Sequence, residues 1–245
     1  MQFALSGILV QKRMDKQMSN NILDEILSEN NSVIPKKDED KILEPILEEI
    51  NYIFDESIKS FVRAILLRAS SFWSIPSSFS GKYHPADEHN YGGNVLHTKR
   101  VVRAAKIMCQ SYSLSKEDTD IVFAACILHD VTKGIRLEGE DSFHYDPMHP
   151  YTVAKLVQRC QEDDKNYASE SQSSTLFISE DVVQSILRLV RCHLGPWSPV
   201  PETIPITYMD MIVHLADNVA SKVHYIVDGE KINLDRWKTQ QDERN

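Results

Sequence analysis

The chain has 245 residues, 42% of them hydrophobic and 26% charged, which is enough to bury a sizeable core and is the composition of an ordinary soluble protein. Its net charge of -9 removes any general electrostatic attraction to long DNA or RNA, so an anionic ligand would have to be small or be met by cations that a site brings with it. Only eight glycines and long stretches of 3.6-residue patterning favour helix over sheet, and the expected class is all-α.

Phe3 to Val10 is apolar but too short to span a bilayer, and it lacks the basic flank of a secretory signal. The expectation is a cytoplasmic protein without a membrane segment. Residues 1 to about 40 combine that start with a polar stretch, amphipathic turns at Ile22-Leu23-Ile26-Leu27 and a charged run from Lys36 to Lys41. They read as a helical extension on a solvated linker. Ile42, Ile46, Ile50 and Ile53 then recur at helical spacing, with Pro45 near the start, and a second helix follows through Ile58, Val62, Ile65 and Leu66.

Ser74 to Gly93 reads as a long loop, and long loops inside domains tend to be functional or disordered. It carries His84 and His89, each of which alone reads as a solvated loop histidine. Gly92-Gly93 allow positive φ or close backbone approach at the entry to the next helix. In that helix His97 lies four residues before Val101 and shares its inward face, as a packed core residue or as a ligand.

Ser115 offers an N-cap to a helix that ends in the apolar run Ile121 to Leu128 and the pair His129-Asp130. A second loop, Gly134 to Pro147, contains His144. It delivers the chain to His149-Pro150, with proline suited to the first helical position and the imidazole expected at a mouth and not in the core. Gln161 to Thr175 is polar and reads as a surface excursion. Ser179 starts a further helix that places His193 at the end of its buried stripe. Gly195 to Pro201 follows as a stiff loop with Trp197, either a rigid connector or a pocket wall. The last helix, from about Pro205, carries Asp217 on the same face as Val213 and Ala220. The four cysteines, Cys109, Cys126, Cys160 and Cys192, form no CxxC pair and read as reduced core thiols.

His97, His129, Asp130, His149, His193 and Asp217 thus fall at helix ends or on inward faces, where an unpaired polar group is costly. One explanation covers all six. Four imidazoles and two carboxylates are enough for two metal ions, with Asp130 as the natural bridge, and nitrogen-rich ligation suits Mn, Fe, Co, Ni or Zn better than Mg or Ca.

The ordered pattern H...HD...H...H...D resembles the HD-domain phosphohydrolase superfamily over roughly Ser77 to Val227. Tyr91-Gly92-Gly93-Asn94-Val95-Leu96-His97-Thr98, Ile127-Leu128-His129-Asp130-Val131-Thr132-Lys133, Cys192-His193-Leu194-Gly195-Pro196-Trp197 and Leu215-Ala216-Asp217-Asn218-Val219-Ala220-Ser221 are similar to its ligand segments. The resemblance implies an all-helical HD bundle over 76–245, with residues 1–75 as an N-terminal helical extension that it does not explain. It implies His97, His129, Asp130 and Asp217 around one metal, and His149 and His193 at a second in the dinuclear branches. His84 and His89 resemble positions that face substrate in the exoribonuclease-like and small-phosphohydrolase branches. A GYP signature is lacking, which disfavours cyclic di-nucleotide hydrolysis of that branch.

The expected function is hydrolysis of a phosphoester on a nucleotide or short single-stranded oligonucleotide by a metal-activated water, with Asp130 and Lys133 catalytic and His84, His89, Lys133 and Trp197 binding substrate. Lys133 is either an exposed loop lysine or a cation on a phosphate oxygen. Two rivals are a mixed-valence di-iron oxygenase of the same fold and a non-catalytic nucleotide-binding regulator. A homo-oligomer is compatible with the sequence.

Overall fold

The computed structural model describes residues 36–171, 178–198 and 200–222. The apolar start Phe3 to Val10 and the turns around Ile22 to Leu27 lie outside the described residues.

The elements run α1 (Lys36–Leu43), a 3-10 turn (Glu44–Ile46), α2 (Leu47–Ile50), α3 (Glu56–Arg68), 3-10 turns at Ser70–Trp73 and Ala86–Glu88, α4 (Gly93–Ser111) and α5 (Lys116–Leu128). Strands β1 (Gly134–Arg136) and β2 (Phe143–Tyr145), α6 (His149–Ser171), α7 (Glu180–Cys192), 3-10 turns at Gly195–Trp197 and Pro201–Thr203, and α8 (Tyr208–Lys222) complete the described chain. Among the described residues the fold is all-α apart from one hairpin. No helix among the described residues is long and apolar enough to cross a membrane.

Helix α5 is the axis. Every residue from Asp120 to Leu128 is buried, the pattern of a helix enclosed on all sides and not of an amphipathic surface helix. Helices α3, α4, α7 and α8 pack around it. Asp120, the one charge in that run, is satisfied by the backbone N–H groups of Phe54 (3.0 Å) and Asp55 (2.8 Å), which fastens the start of α3 to α5. Leu43, Ile46, Ile50 and Ile53 share the core with Val101, Ile127 and Val213. All four cysteines are buried and free.

Five local expectations are corrected. The charged run from Lys36 is helical, not a linker, and the helix read through Ile42 and Ile53 is broken by a 3-10 turn at Pro45, which has no N–H to donate and whose ring blocks the preceding turn. The loop from Gly134 to Pro147 contains the antiparallel pair β1–β2, in the register Gly134↔Tyr145, Ile135↔His144, Arg136↔Phe143. Helix α6 continues through the polar stretch to Ser171, because Gln, Glu and Lys propagate helix without any apolar stripe. His149 is buried, not at an open mouth, because the hairpin places the Tyr145 ring beside it, centroids 5.6 Å apart.

Candidate metal centre

Three imidazoles are held by one local device. His129 and His193 cap the C-termini of α5 and α7, and His149 opens α6. Each donates its Nδ1 proton to the carbonyl three residues earlier: His129 to Cys126, His149 to Asp146 and His193 to Val190, all at 2.7 Å. A carbonyl only accepts, so the proton is on Nδ1 and the Nε2 lone pair faces away from it.

Those lone pairs converge. His149 Nε2 is 3.1 Å from His193 Nε2 and 3.0 Å from Asp130 Oδ1, which is 3.8 Å from His193 Nε2. His129 Nε2 is 3.4 Å from Asp130 Oδ2 and 3.9 Å from Asp217 Oδ1. His97 Nε2 reaches the same Asp217 oxygen at 3.0 Å. His129 Nε2 and Asp130 Oδ1 are buried without a hydrogen-bond partner among the described residues. Nitrogen and oxygen lone pairs gathered this closely in a buried place repel one another unless a cation lies among them, so the donor set fits a metal ion. Three groups have the spacing of a site: His97 with His129 and Asp217, Asp130 with His149 and His193, and, sharing His97 with the first, His84 with Glu88 and His97.

The electrostatics differ across the site. Burial alone would strip the proton from His97, but Asp217 and Glu88 on its two nitrogens outweigh burial and hold the ring up at about 9. His193 is pushed down to about 3 by burial and by repulsion from His129 and His149. Burial opposes the charges of Asp130 and Asp217, yet Lys133 and His129 at the first, and His97 and His129 at the second, hold both well below the usual carboxylate range.

The remaining expected residues are placed as follows. Lys133 is buried, and its ammonium lies 2.5 Å from Asp130 Oδ2. Helix α5 stops at Leu128, so Lys133 reaches that carboxylate from a turn and not from a continuing helix. His84 is also buried, and donates Nδ1–H to Glu88 Oε2 at 2.9 Å, with its ring 4.5 Å from that of His97. His89 donates to the His84 carbonyl at 2.8 Å and braces the loop. Trp197 is 67% exposed and its ring packs beside His214, whose Nδ1–H in turn holds the His193 carbonyl at 2.8 Å.

Several residues of the site are not among those expected to act there. Glu88, fully buried, faces His84, His97 and Arg100 at once. Thr132 donates to the His149 carbonyl at 2.9 Å and accepts from Thr152 at 2.8 Å, tying the His129-Asp130 turn to the entry of α6. Asn94 donates to the Asp130 carbonyl at 3.1 Å. The glycine pair serves both purposes open to it. Gly92 has φ 74°, and a Cβ on Gly93 would stand 2.0 Å from the Glu88 carbonyl oxygen, so only glycine lets the loop lie against α4.

A helical bundle that gathers imidazoles and carboxylates at its helix ends defines a metal-site scaffold, and the family comparison agrees. The HD domain family matches residues 95–222, more than half of the chain, and the chain belongs to that family. HD domains bind divalent metals, and the family generally includes metal-dependent phosphohydrolases. No curated protein and no solved structure matches the chain. The matched span contains all six candidate ligands but begins after the loop that carries His84, Glu88 and His89.

Proposed function

We propose that the protein is a metal-dependent phosphohydrolase that cleaves a phosphoester on a nucleotide or short single-stranded oligonucleotide. The observation that carries this reading is the meeting of His149 Nε2, His193 Nε2 and Asp130 Oδ1 within 3.0 to 3.8 Å, each imidazole having its proton on the far nitrogen. His97, His129 and Asp217 would hold one divalent ion and Asp130, His149 and His193 the other, and Asp130 also faces His129 through its second oxygen. Nitrogen-rich donors with two carboxylates select for transition metals of the Mn, Fe, Co, Ni or Zn class. When bound, such ions supply a Lewis acid for phosphoryl oxygens and lower the pKa of a water.

The chain's own residues supply the rest. Lys133 neutralises Asp130 in the structure; with that carboxylate committed to metal, its ammonium is available to a phosphate oxygen, where negative charge develops in the transition state. His84 presents a second imidazole beside His97 and is pushed down to about 4 chiefly by burial, so it is neutral at pH 7 and serves as a hydrogen-bond partner, not as a fixed cation. Tyr145, 44% exposed, packs its ring on that of His149 and covers that side of the site. The net charge of -9 favours a small anion over a long polymer.

The test loads the full chain in turn with Mn, Fe, Co, Ni and Zn, measures bound metal, and assays a generic phosphodiester and a nucleotide panel, with Asp130→Ala as control. Metal-dependent turnover that falls to background in Asp130→Ala is the expected result. An iron-loaded protein inert toward every phosphoester would replace the reading with oxygen chemistry, and a chain that binds no metal would replace it with a regulator.

A further inference from the structure

We propose that Glu88 is a positioning residue that orients two imidazoles at once, His97 toward the metal centre and His84 toward the substrate. The inference rests on the metal-site reading above and extends it to a residue upstream of the matched HD span.

His97 poses a problem that the other three histidine candidates do not. It sits inside α4, where the carbonyl three residues back, that of Asn94, is already taken by the Thr98 hydroxyl at 2.9 Å. Its own helix cannot anchor Nδ1. The group that faces Nδ1 is Glu88 Oε2 at 3.4 Å, an ion-pair distance. The same oxygen accepts from His84 Nδ1 at 2.9 Å. One carboxylate oxygen therefore accepts the Nδ1 proton of His84 and is the charged group facing His97 Nδ1, which makes no hydrogen bond of its own among the described residues, while His97 Nε2 meets Asp217. His84, His129, His149 and His193 then share the Nδ1–H tautomer.

A competing role for Glu88 is to anchor the loop to α4 through Arg100. Arg100 already has a two-pronged pair with Asp87, at 3.1 and 2.6 Å, at the surface. That tether costs little, whereas Glu88 is wholly buried and pairs with Arg100 through its other oxygen, Oε1. Burying a second carboxylate beneath an existing exposed pair is destabilising unless it serves the groups on its inner side. Its backbone is fixed to match: the Glu88 carbonyl accepts from Ser77 N at 3.0 Å and lies against the bare Cα of Gly93.

The test titrates Mn(II) and Zn(II) into the chelator-treated full chain and into Glu88→Ala, Glu88→Gln, Arg100→Ala, His84→Ala, His97→Ala and Asp217→Ala, with circular dichroism confirming the fold of each. Glu88→Ala should weaken one metal equivalent by ~10- to 100-fold, the usual effect of losing a group that orients a ligand, and leave the other unchanged. Glu88→Gln, which keeps one acceptor oxygen, should fall between. Arg100→Ala and His84→Ala should bind both equivalents like the wild type, and His84→Ala should lose turnover without losing metal. Long-range proton–nitrogen NMR of the metal-free protein reads the tautomers directly: Glu88→Ala should shift the nitrogen signals of His97 and His84 and leave those of His129, His149 and His193 in place.

Wild-type metal affinity in folded Glu88→Ala, or an equal loss in Arg100→Ala, would overturn the proposal while leaving the metal site standing. If His97→Ala and Asp217→Ala also bind metal like the wild type, the metal-site reading itself fails and this inference with it. Should Glu88→Ala not fold, the Glu88→Gln titration and NMR decide on the same terms.

Discussion

His129, His149 and His193 are oriented by backbone, whereas His97 is oriented by another side chain. The difference follows from where each stands in its helix. At a helix C-terminus the carbonyls lack the i+4 partner that the interior supplies, so His129 and His193 can turn Nδ1–H onto the carbonyl three residues back, and His149, which opens α6, does the same to Asp146 in the turn before its helix. Inside α4 no such carbonyl is free, and the orienting group comes from Glu88 in a different part of the chain. A backbone anchor is insensitive to any substitution that leaves the helix end in place. A side-chain anchor can be removed on its own.

The largest expected effect comes from moving a backbone anchor. Gly195 has φ 54°, and a Cβ there would stand 2.3 Å from His214 Cε1, the ring that holds the His193 carbonyl. Gly195→Ala should cost about 2–4 kcal/mol from the left-handed backbone and the overlap together. It should also weaken metal binding at Asp130, His149 and His193 while leaving the His97 side intact. Denaturant unfolding and metal titration measure the two parts. Loss at both metal sites alike would mean that the two modes of orientation are not separable.

Metal loading comes next. An ion that binds only the folded chain stabilises it by about 2.7 kcal/mol at 100 times its Kd, which for a chain of this size is a rise of roughly 5–11 °C in Tm per site. Chelation should reverse it. His97→Gln should remove the share of one site and His193→Gln that of the other; a Tm indifferent to chelator after saturating load would count against both sites.

A smaller effect is expected at Thr132, which joins the His129-Asp130 turn to the His149 carbonyl. Thr132→Val keeps the shape and loses that bond, and because Thr152 Oγ1 stands 3.1 Å from the same carbonyl and can turn its one proton there once the Thr132 hydroxyl is gone, the cost should be about 1 kcal/mol. Metal affinity at the His149 group should fall with it. A change of stability with no change in metal affinity would make the threonine a fold residue only.

These contrasts also explain what the sequence made legible. The helical class, the N-caps Ser115 and Ser179 and the burial of the Ile121 to Leu128 run follow from periodicity and capping chemistry, which are local. His129, His149 and His193 were conspicuous because each stands at a helix end, where an imidazole has a backbone partner within reach. Glu88 was not, because its partners His84, His97 and Arg100 meet it only after Gly93 lets the loop lie on α4, and that approach depends on tertiary contact. The hairpin β1–β2 was hidden in the same way: its strands are three residues each, too short to show alternation. From sequence Pro45 reads as a tolerated start, whereas its missing N–H ends one helix and begins a 3-10 turn.

The smallest effect tests insulation. Ser179 caps α7 by accepting from the Val182 N–H at 3.3 Å, and the far end of the same helix supplies the Val190 carbonyl to His193. Ser179→Ala should cost about 0.5–1 kcal/mol, the ordinary loss of a cap, and lower Tm by roughly 1–4 °C. If a backbone anchor depends only on its own helix end, metal affinity at Asp130, His149 and His193 should stay within twofold, since fraying at one terminus dies out within about a turn and Ile186, Leu189 and Val190 pin the rest of α7 in the core. A titration that weakens in proportion to the lost stability would show instead that α7 transmits strain along its length. The backbone-held histidines would then be no more independent of their surroundings than His97 is of Glu88.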